Sequence, residues 1–243
     1  MTLGLLDVAF LGAAGAFAAP PTDPYFANVS LLLHGDGANG TTTIVDSSPS
    51  PKTVTAVGNA QISTAQSKFG GASIAFDGTG DYLTSPSNAA FNYAAENFTI
   101  EGWFRLNNIS SLQTVVSQAS FNGSTVDGYA IRINNSKLGV PYYNNTGGPI
   151  FAVGDVSTLS SNTWYHFALT REGNVFRLFL NGALESTVTS SISIASNKTL
   201  YIGEWEGFTG RNINGYIDDL RITKGVARYT SNFTPPTAPF PDI

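Results

Sequence analysis

The chain has 243 residues, 42% hydrophobic and 12% aromatic, enough for a two-sheet core and far from a disordered composition. A net charge of -5, with 12 basic residues scattered singly, offers no footprint for nucleic-acid phosphates or for an anionic membrane surface. The absence of cysteine removes thiol catalysis, thiolate metal sites and disulfides together, leaves packing and an ion to supply stability, and points to a bacterial or viral source.

Residues 1–28 read as an apolar arm and a Pro-rich linker. Leu3, Leu5, Leu6, Val8, Phe10, Leu11 and Phe17 make the first stretch greasy, with Asp7 and no basic residue among the first nineteen. A secretory signal wants a basic leading region, and a membrane span wants flanking charges and fewer glycines. The arm is expected to dock on a partner subunit, with a cleaved signal or an added element of the domain as alternatives. Pro20, Pro21 and Pro24 stiffen the link between the arm and the rest of the chain.

Residues 29–235 read as one β domain. Over 98–106, Phe98, Ile100, Gly102, Phe104 and Leu106 alternate with Thr99, Glu101, Trp103 and Arg105, the period of a strand with one buried face. Similar runs fall at 73–76, 129–133, 164–170, 175–180 and 214–223. Asn181-Gly182 stands between Phe176/Leu178/Leu180 and Leu184, and both residues tolerate the positive φ of a type I′ hairpin. Short strands broken by Gly, Asn and Pro, with no long helical period, predict an all-β, two-sheet antiparallel sandwich. Pro235, Pro236, Pro239 and Pro241 then end regular structure, so 236–243 is expected as a short Pro-rich tail.

Several segments recur in order in laminin G-like jelly rolls. They are Leu31-Leu32-Leu33-His34-Gly35-Asp36-Gly37, Ser73-Ile74-Ala75-Phe76-Asp77-Gly78, Asp81-Tyr82-Leu83 and Phe98-Thr99-Ile100-Glu101-Gly102-Trp103-Phe104. Trp164-Tyr165-His166-Phe167-Ala168, Leu180-Asn181-Gly182 and Gly215-Tyr216-Ile217-Asp218-Asp219-Leu220-Arg221-Ile222 complete the set. The chain thus resembles the laminin G-like, concanavalin A-like jelly-roll family, which implies the fold. Its ending, Arg221-Ile222-Thr223-Lys224-Gly225-Val226-Ala227-Arg228-Tyr229 and then Phe233-Thr234-Pro235-Pro236, resembles such domains in tailed-phage virion proteins and related bacterial surface proteins, although domains of this type also decorate bacterial enzymes. That implies a capsid decoration or tail-associated protein on the virion surface, with other virion proteins as partners and a homo-oligomer, a trimer among the options. A secreted or bacterial cell-surface protein is the alternative location. Fold likeness alone does not fix function.

Jelly-roll glycosidases use two carboxylates about 5–9.5 Å apart. Glu204 and Glu206 flank Trp205 and would share a face if that segment were a strand, but the Glu-x-Asp-x-x-Glu motif of related glucanases is missing. Glu101 lies in a strand pattern common to non-enzymatic members, and His34 and His166 have no nucleophile setting. The chain is therefore expected not to be an enzyme. Asp218, read by alternation on the face of Leu220 and Ile222, would need a partner there. The resemblance implies a structural calcium in some members, with Asp36, Asp218 and Asp77 as candidate ligands, set against plain turn-capping roles. Trp205, Tyr142, Tyr143, Asn144 and Glu204 combine aromatic and polar groups in the manner of a glycan site, against the alternative of core or subunit contacts.

Overall fold

Period-2 segments become two antiparallel layers in the computed structural model, which describes residues 22–146, 149, 151–194 and 197–243. The arm residues Leu3, Leu5, Leu6, Val8, Phe10, Leu11 and Phe17 lie outside the described residues. In chain order the strands are β1 (Val29–Leu33), β2 (Thr55–Val57), β3 (Gln61–Ser63), β4 (Ser73–Asp77), β5 (Tyr82–Ser85), β6 (Phe98–Leu106), β7 (Gln113–Phe121) and β8 (Val126–Asn134). They continue as β9 (Lys137–Thr146), β10 (Phe151–Thr158), β11 (Trp164–Glu172), β12 (Val175–Leu180), β13 (Ala183–Thr189), β14 (Leu200–Ile202) and β15 (Asn214–Lys224). Among the described residues no helix is long and apolar enough to cross a membrane.

One sheet, A, runs β13-β12-β11-β6-β15-β4-β3, with β1 also paired to β15; the other, B, runs β10-β9-β8-β7-β14-β5-β2. The expected jelly-roll sandwich is what forms. Phe98, Ile100 and Phe104 of β6, Phe167 of β11 and Leu178 of β12 join Val116, Ile131, Val140 and Ile202 of sheet B in one buried cluster. Each such side chain contributes roughly 1.5–3 kcal/mol on burial. The predicted hairpin is present: Asn181 and Gly182 both have positive φ, +48° and +78°, between paired Leu180 and Ala183. The right-handed strand twist selects this turn.

Strand β15 has an unusual position. Its first residues, Asn214 to Ile217, pair with β4 on one side, and its later ones, from Leu220, pair with β1 on that same side, while β6 lines the other. The register slips between Asp218 and Arg221, and Asp219 has φ +49°. This bulge corrects the alternation read from sequence: Asp218 pairs opposite Trp103, on the outer face, while Leu220 and Ile222 point into the core.

Part of the outer face of sheet A, over β1, β11, β12 and the second half of β15, is covered by the chain itself. Tyr229 and Phe233 stack 3.6 Å apart and meet His166 and Phe179 edge-on, while the Arg221 guanidinium lies 3.7 Å over the Phe240 ring. The backbone N–H of Asp23 donates to the Ile243 carbonyl at 2.9 Å. Beneath this cover sits a charged network. Arg221 and Arg228 both donate to Asp23, Arg221 also donates to Glu101, and the Tyr229 hydroxyl donates to the second Glu101 oxygen at 2.8 Å.

Candidate functional site

On sheet B, residues alternating with the core set point away from it. Ala119 and Phe121 of β7, Val126 and Ala130 of β8 and Tyr143 of β9 share this outer face, and the turn after β14 lays Trp205 and Phe208 across them. Phe208 stacks on Phe121 at 4.4 Å and meets Trp205 edge-on at 5.0 Å; Tyr143 lies 5.6 Å from Trp205. The Arg211 guanidinium caps both rings, 3.7 Å from Phe208 and 4.7 Å from Trp205. Trp205 is only 1% exposed and its indole N–H is buried without an acceptor among the described residues, so it is the floor of this cluster. Half-buried Phe121, Tyr143, Phe208 and Arg211 form its accessible surface.

A second aromatic pair, Tyr82 of β5 and Tyr201 of β14 at 5.8 Å, continues the same face. Burial first, and then the charge of Glu206, push the Tyr201 hydroxyl up to about 12. Flat rings flanked by a guanidinium and carboxylates can stack on sugar faces and hydrogen-bond their hydroxyls.

Of the residues expected at this site, Trp205 and Tyr143 come together, while Tyr142 does not. Neighbouring residues on a strand face opposite ways, so Tyr142 enters the core, 7% exposed, with its hydroxyl donating to the Ser193 carbonyl. Asn144 is exposed opposite Asp127. Glu204 is half-buried, its carbonyl accepting from the Ser117 hydroxyl at 2.7 Å, and burial followed by Glu206 raises its pKa. Strand β14 ends at Ile202, so Glu204 and Glu206 occupy a turn and lack the strand geometry that would set them on one face as a catalytic pair.

A different corner gathers Asp218 and Asp36. Asp218 sits where β15 passes from β4 to β1, and one of its oxygens accepts the backbone N–H groups of Lys68 and Phe69 at 2.6 and 3.1 Å. Its other oxygen is buried with no donor among the described residues. Burial is the main cause that raises the Asp218 pKa, to about 7, and the charges of Asp219 and Asp36 add to it. The Asp36 carboxylate packs against Gly70, which has φ +60° and no room for a side chain there. Asp219 is otherwise engaged, by His34 Nδ1 at 2.7 Å and by the Phe240 N–H. Asp77 stands apart: it pairs opposite Asn214, about 13 Å of strand from Asp218 at ~3.3 Å per residue, and accepts the Thr79 N–H. No three His, Cys, Asp or Glu side chains are grouped to hold a metal among the described residues. The donorless Asp218 oxygen nonetheless fits a hard cation, with the nearby Asp36 carboxylate as a second ligand.

Residues 77–228, more than half of the chain, match the family described as the concanavalin A-like lectin/glucanases superfamily. The chain belongs to that superfamily, in its laminin G-like branch. Its fold resembles the botulinum neurotoxin serotype D/C binding domain, with a TM-score of 0.63 at 20% identity over 83% of this chain and 50% of that one. It also resembles botulinum neurotoxin type C, whose access to cells depends on interaction with two ganglioside molecules (TM-score 0.60, 19% identity, 83% and 49% covered). A third is the neurotoxin DC binding domain in complex with rat synaptotagmin II (TM-score 0.60, 20% identity, 83% and 49% covered). The chain spans about half the length of these structures, and at such identities the likeness is one of fold. A search of curated proteins found no match.

Proposed function

We propose that the chain is a non-catalytic adhesion protein that holds a glycan on the outer face of sheet B. The observation carrying this reading is the aromatic cluster of Tyr143, Trp205 and Phe208 under the Arg211 guanidinium. On sheet A, Tyr229, Phe233 and Phe240 of the C-terminal segment cover the outer face at His166, Phe179 and Arg221. The neurotoxin domains of similar fold are binding domains, one neurotoxin described with gangliosides and one binding domain with rat synaptotagmin II, which is consistent with recognition as the task. A broad glycan array tests the reading: the wild-type chain binds at least one glycan class, and Phe208→Ala or Arg211→Gln abolishes it. An array with no binder removes the glycan reading.

The setting we propose is the surface of a tailed-phage particle. Its support is the resemblance of the segment from Arg221 to Pro236 to virion jelly rolls. The apolar arm of residues 1–19 would anchor the domain to capsid or tail subunits, in a homo-oligomer such as a trimer. Calcium would bind Asp218 and Asp36 and neutralise a carboxylate that lacks a full set of donors. Its role would be structural, clamping the 68–70 turn to β15.

A further inference from the structure

The half of sheet A that the C-terminal segment leaves open carries one row of side chains across five strands. Trp164 of β11 stands opposite Arg105 of β6, Arg105 opposite Tyr216 of β15, Tyr216 opposite Ala75 of β4, and Ala75 opposite Gln61 of β3. Their chain neighbours Tyr165, Phe104, Ile217, Ile74 and Ile62 pack in or against the core, so all five members of the row face outward. Ala75 is the small one. With strands about 4.8 Å apart, it leaves a trough roughly 10 Å wide between the backbones of β15 and β3, walled by Tyr216 and Gln61. The cleft there has a volume of about 510 Å³, within the roughly 300–1,000 Å³ usual for small-molecule sites.

The end of the trough is lined by polar groups whose roles are already fixed. The Arg105 guanidinium donates to Asn107 Oδ1 at 3.2 Å, and Asn107 Nδ2 donates to Asn214 Oδ1 at 2.9 Å. This relay uses the oxygen of the Asn214 amide and leaves its nitrogen as a donor with no acceptor among the described residues. Asp77 stands directly opposite Asn214 on β4 and accepts the Thr79 N–H on one oxygen and the Asn59 amide, at 3.3 Å, on the other. Each carboxylate oxygen can accept a second bond. A fixed donor thus sits beside a fixed acceptor, the arrangement that complements two adjacent hydroxyls. The Tyr216 hydroxyl and the Gln61 amide, both half-buried, make no hydrogen bond among the described residues.

We propose that this trough binds an uncharged hexose, its ring face on Tyr216 above Ala75 and two neighbouring hydroxyls on the Asn214 amide and the Asp77 carboxylate, with Gln61 on the far wall. Arg105 and Asp77 place one positive and one negative charge at the cleft, so neither ion is favoured, and an acidic sugar would set its carboxylate against Asp77. The trough shares no residue with the aromatic face of sheet B and does not rest on glycan binding there. One ring face and a few neutral hydrogen bonds hold a single sugar weakly, so the site is read in solution and not on an array.

The test is an amide chemical-shift titration of the full chain with glucose, galactose, mannose and N-acetylglucosamine, and with D-glucuronate as the acidic control. At least one neutral sugar should give saturable shifts centred on Gln61, Ala75, Asn214 and Tyr216, with glucuronate at least tenfold weaker. Ala75→Leu, which fills the trough from an outward-facing position, should abolish these shifts, and Tyr216→Ala should weaken binding at least tenfold, while Phe208→Ala, on the other sheet, leaves it unchanged. Thermal melts establish that each variant is folded. No saturable shift at the trough with any of the four neutral sugars, equal affinity for glucuronate, or wild-type affinity in folded Ala75→Leu would each overturn the proposal. Loss of the sheet B site would alter none of these readings.

Discussion

Arg221 gives two hydrogen bonds to a single oxygen of Glu101, from Nε at 3.0 Å and from Nη2 at 2.7 Å, and Glu101 has no exposed surface. Burial alone would raise the Glu101 pKa; Arg221, then His166 and Arg228, overcome it and hold the group near 2 instead of 4.5. Removing one partner from a buried pair strands the other. Arg221→Met should therefore cost about 3–5 kcal/mol at neutral pH, read from urea unfolding. Because the folded pKa is depressed, this stabilisation is complete above 4.5 and drains away as the pH falls toward 2. The gap between wild type and variant should narrow over that window, and a gap independent of pH would contradict the network.

Asp23 separates two truncations that look alike in sequence. It accepts from Arg221 and Arg228, so removing residues 1–24 leaves both guanidinium groups short of a carboxylate. That deletion should cost about 3 kcal/mol, or a melting point roughly 6–12 °C lower. Removing residues 1–21 spares Asp23 and should leave the melt unchanged, while abolishing incorporation into particles if the arm is the anchor.

Calcium at Asp218 predicts a melting temperature that rises with the ion and falls in chelator. A ligand held only by the folded state adds about 2.7 kcal/mol at a hundred times its Kd. Asp218→Asn should remove the response, whereas Asp77→Asn should keep it. Identical wild-type melts in calcium and in chelator would dismiss the site.

On sheet B the variants divide by burial. Trp205→Ala should destabilise by about 3–5 kcal/mol, as expected for a large side chain removed from a packed site. Phe208→Ala and Arg211→Gln should instead cost glycan binding with little effect on the melt. Tyr142→Phe, which removes only the bond to Ser193, should bind as wild type. Array binding and melting curves on the same preparations check all four.

Glu204 and Glu206 provide the check on catalysis. Reducing-sugar assays across polysaccharides should stay at background for the wild-type chain. Hydrolysis that vanished in Glu204→Gln would overturn the non-catalytic reading.

Local patterns make much of the fold legible. The alternation around Phe104 and the Asn181-Gly182 turn each follow from residues adjacent in sequence, and both appear as expected. Alternation puts Asp218 on the wrong face because it assumes an unbroken strand, and the bulge at Asp219 arises from an exchange of neighbours between distant strands. The proposed glycan face is half visible. Trp205 and Tyr143 signal it by type, but Phe121, Tyr82 and Arg211 join only through the order of strands in sheet B, which no local period encodes. The network joining Asp23, Glu101, Arg221 and Arg228 is hidden for the same reason: its members are up to 205 residues apart.

Because β15 serves β4 along its first half, β1 along its second and β6 throughout, no single edge can peel away and leave it intact. Its interior amides should exchange with deuterium only when the entire domain opens, making them reporters of global stability, whereas the short outer strand β2 can fray alone.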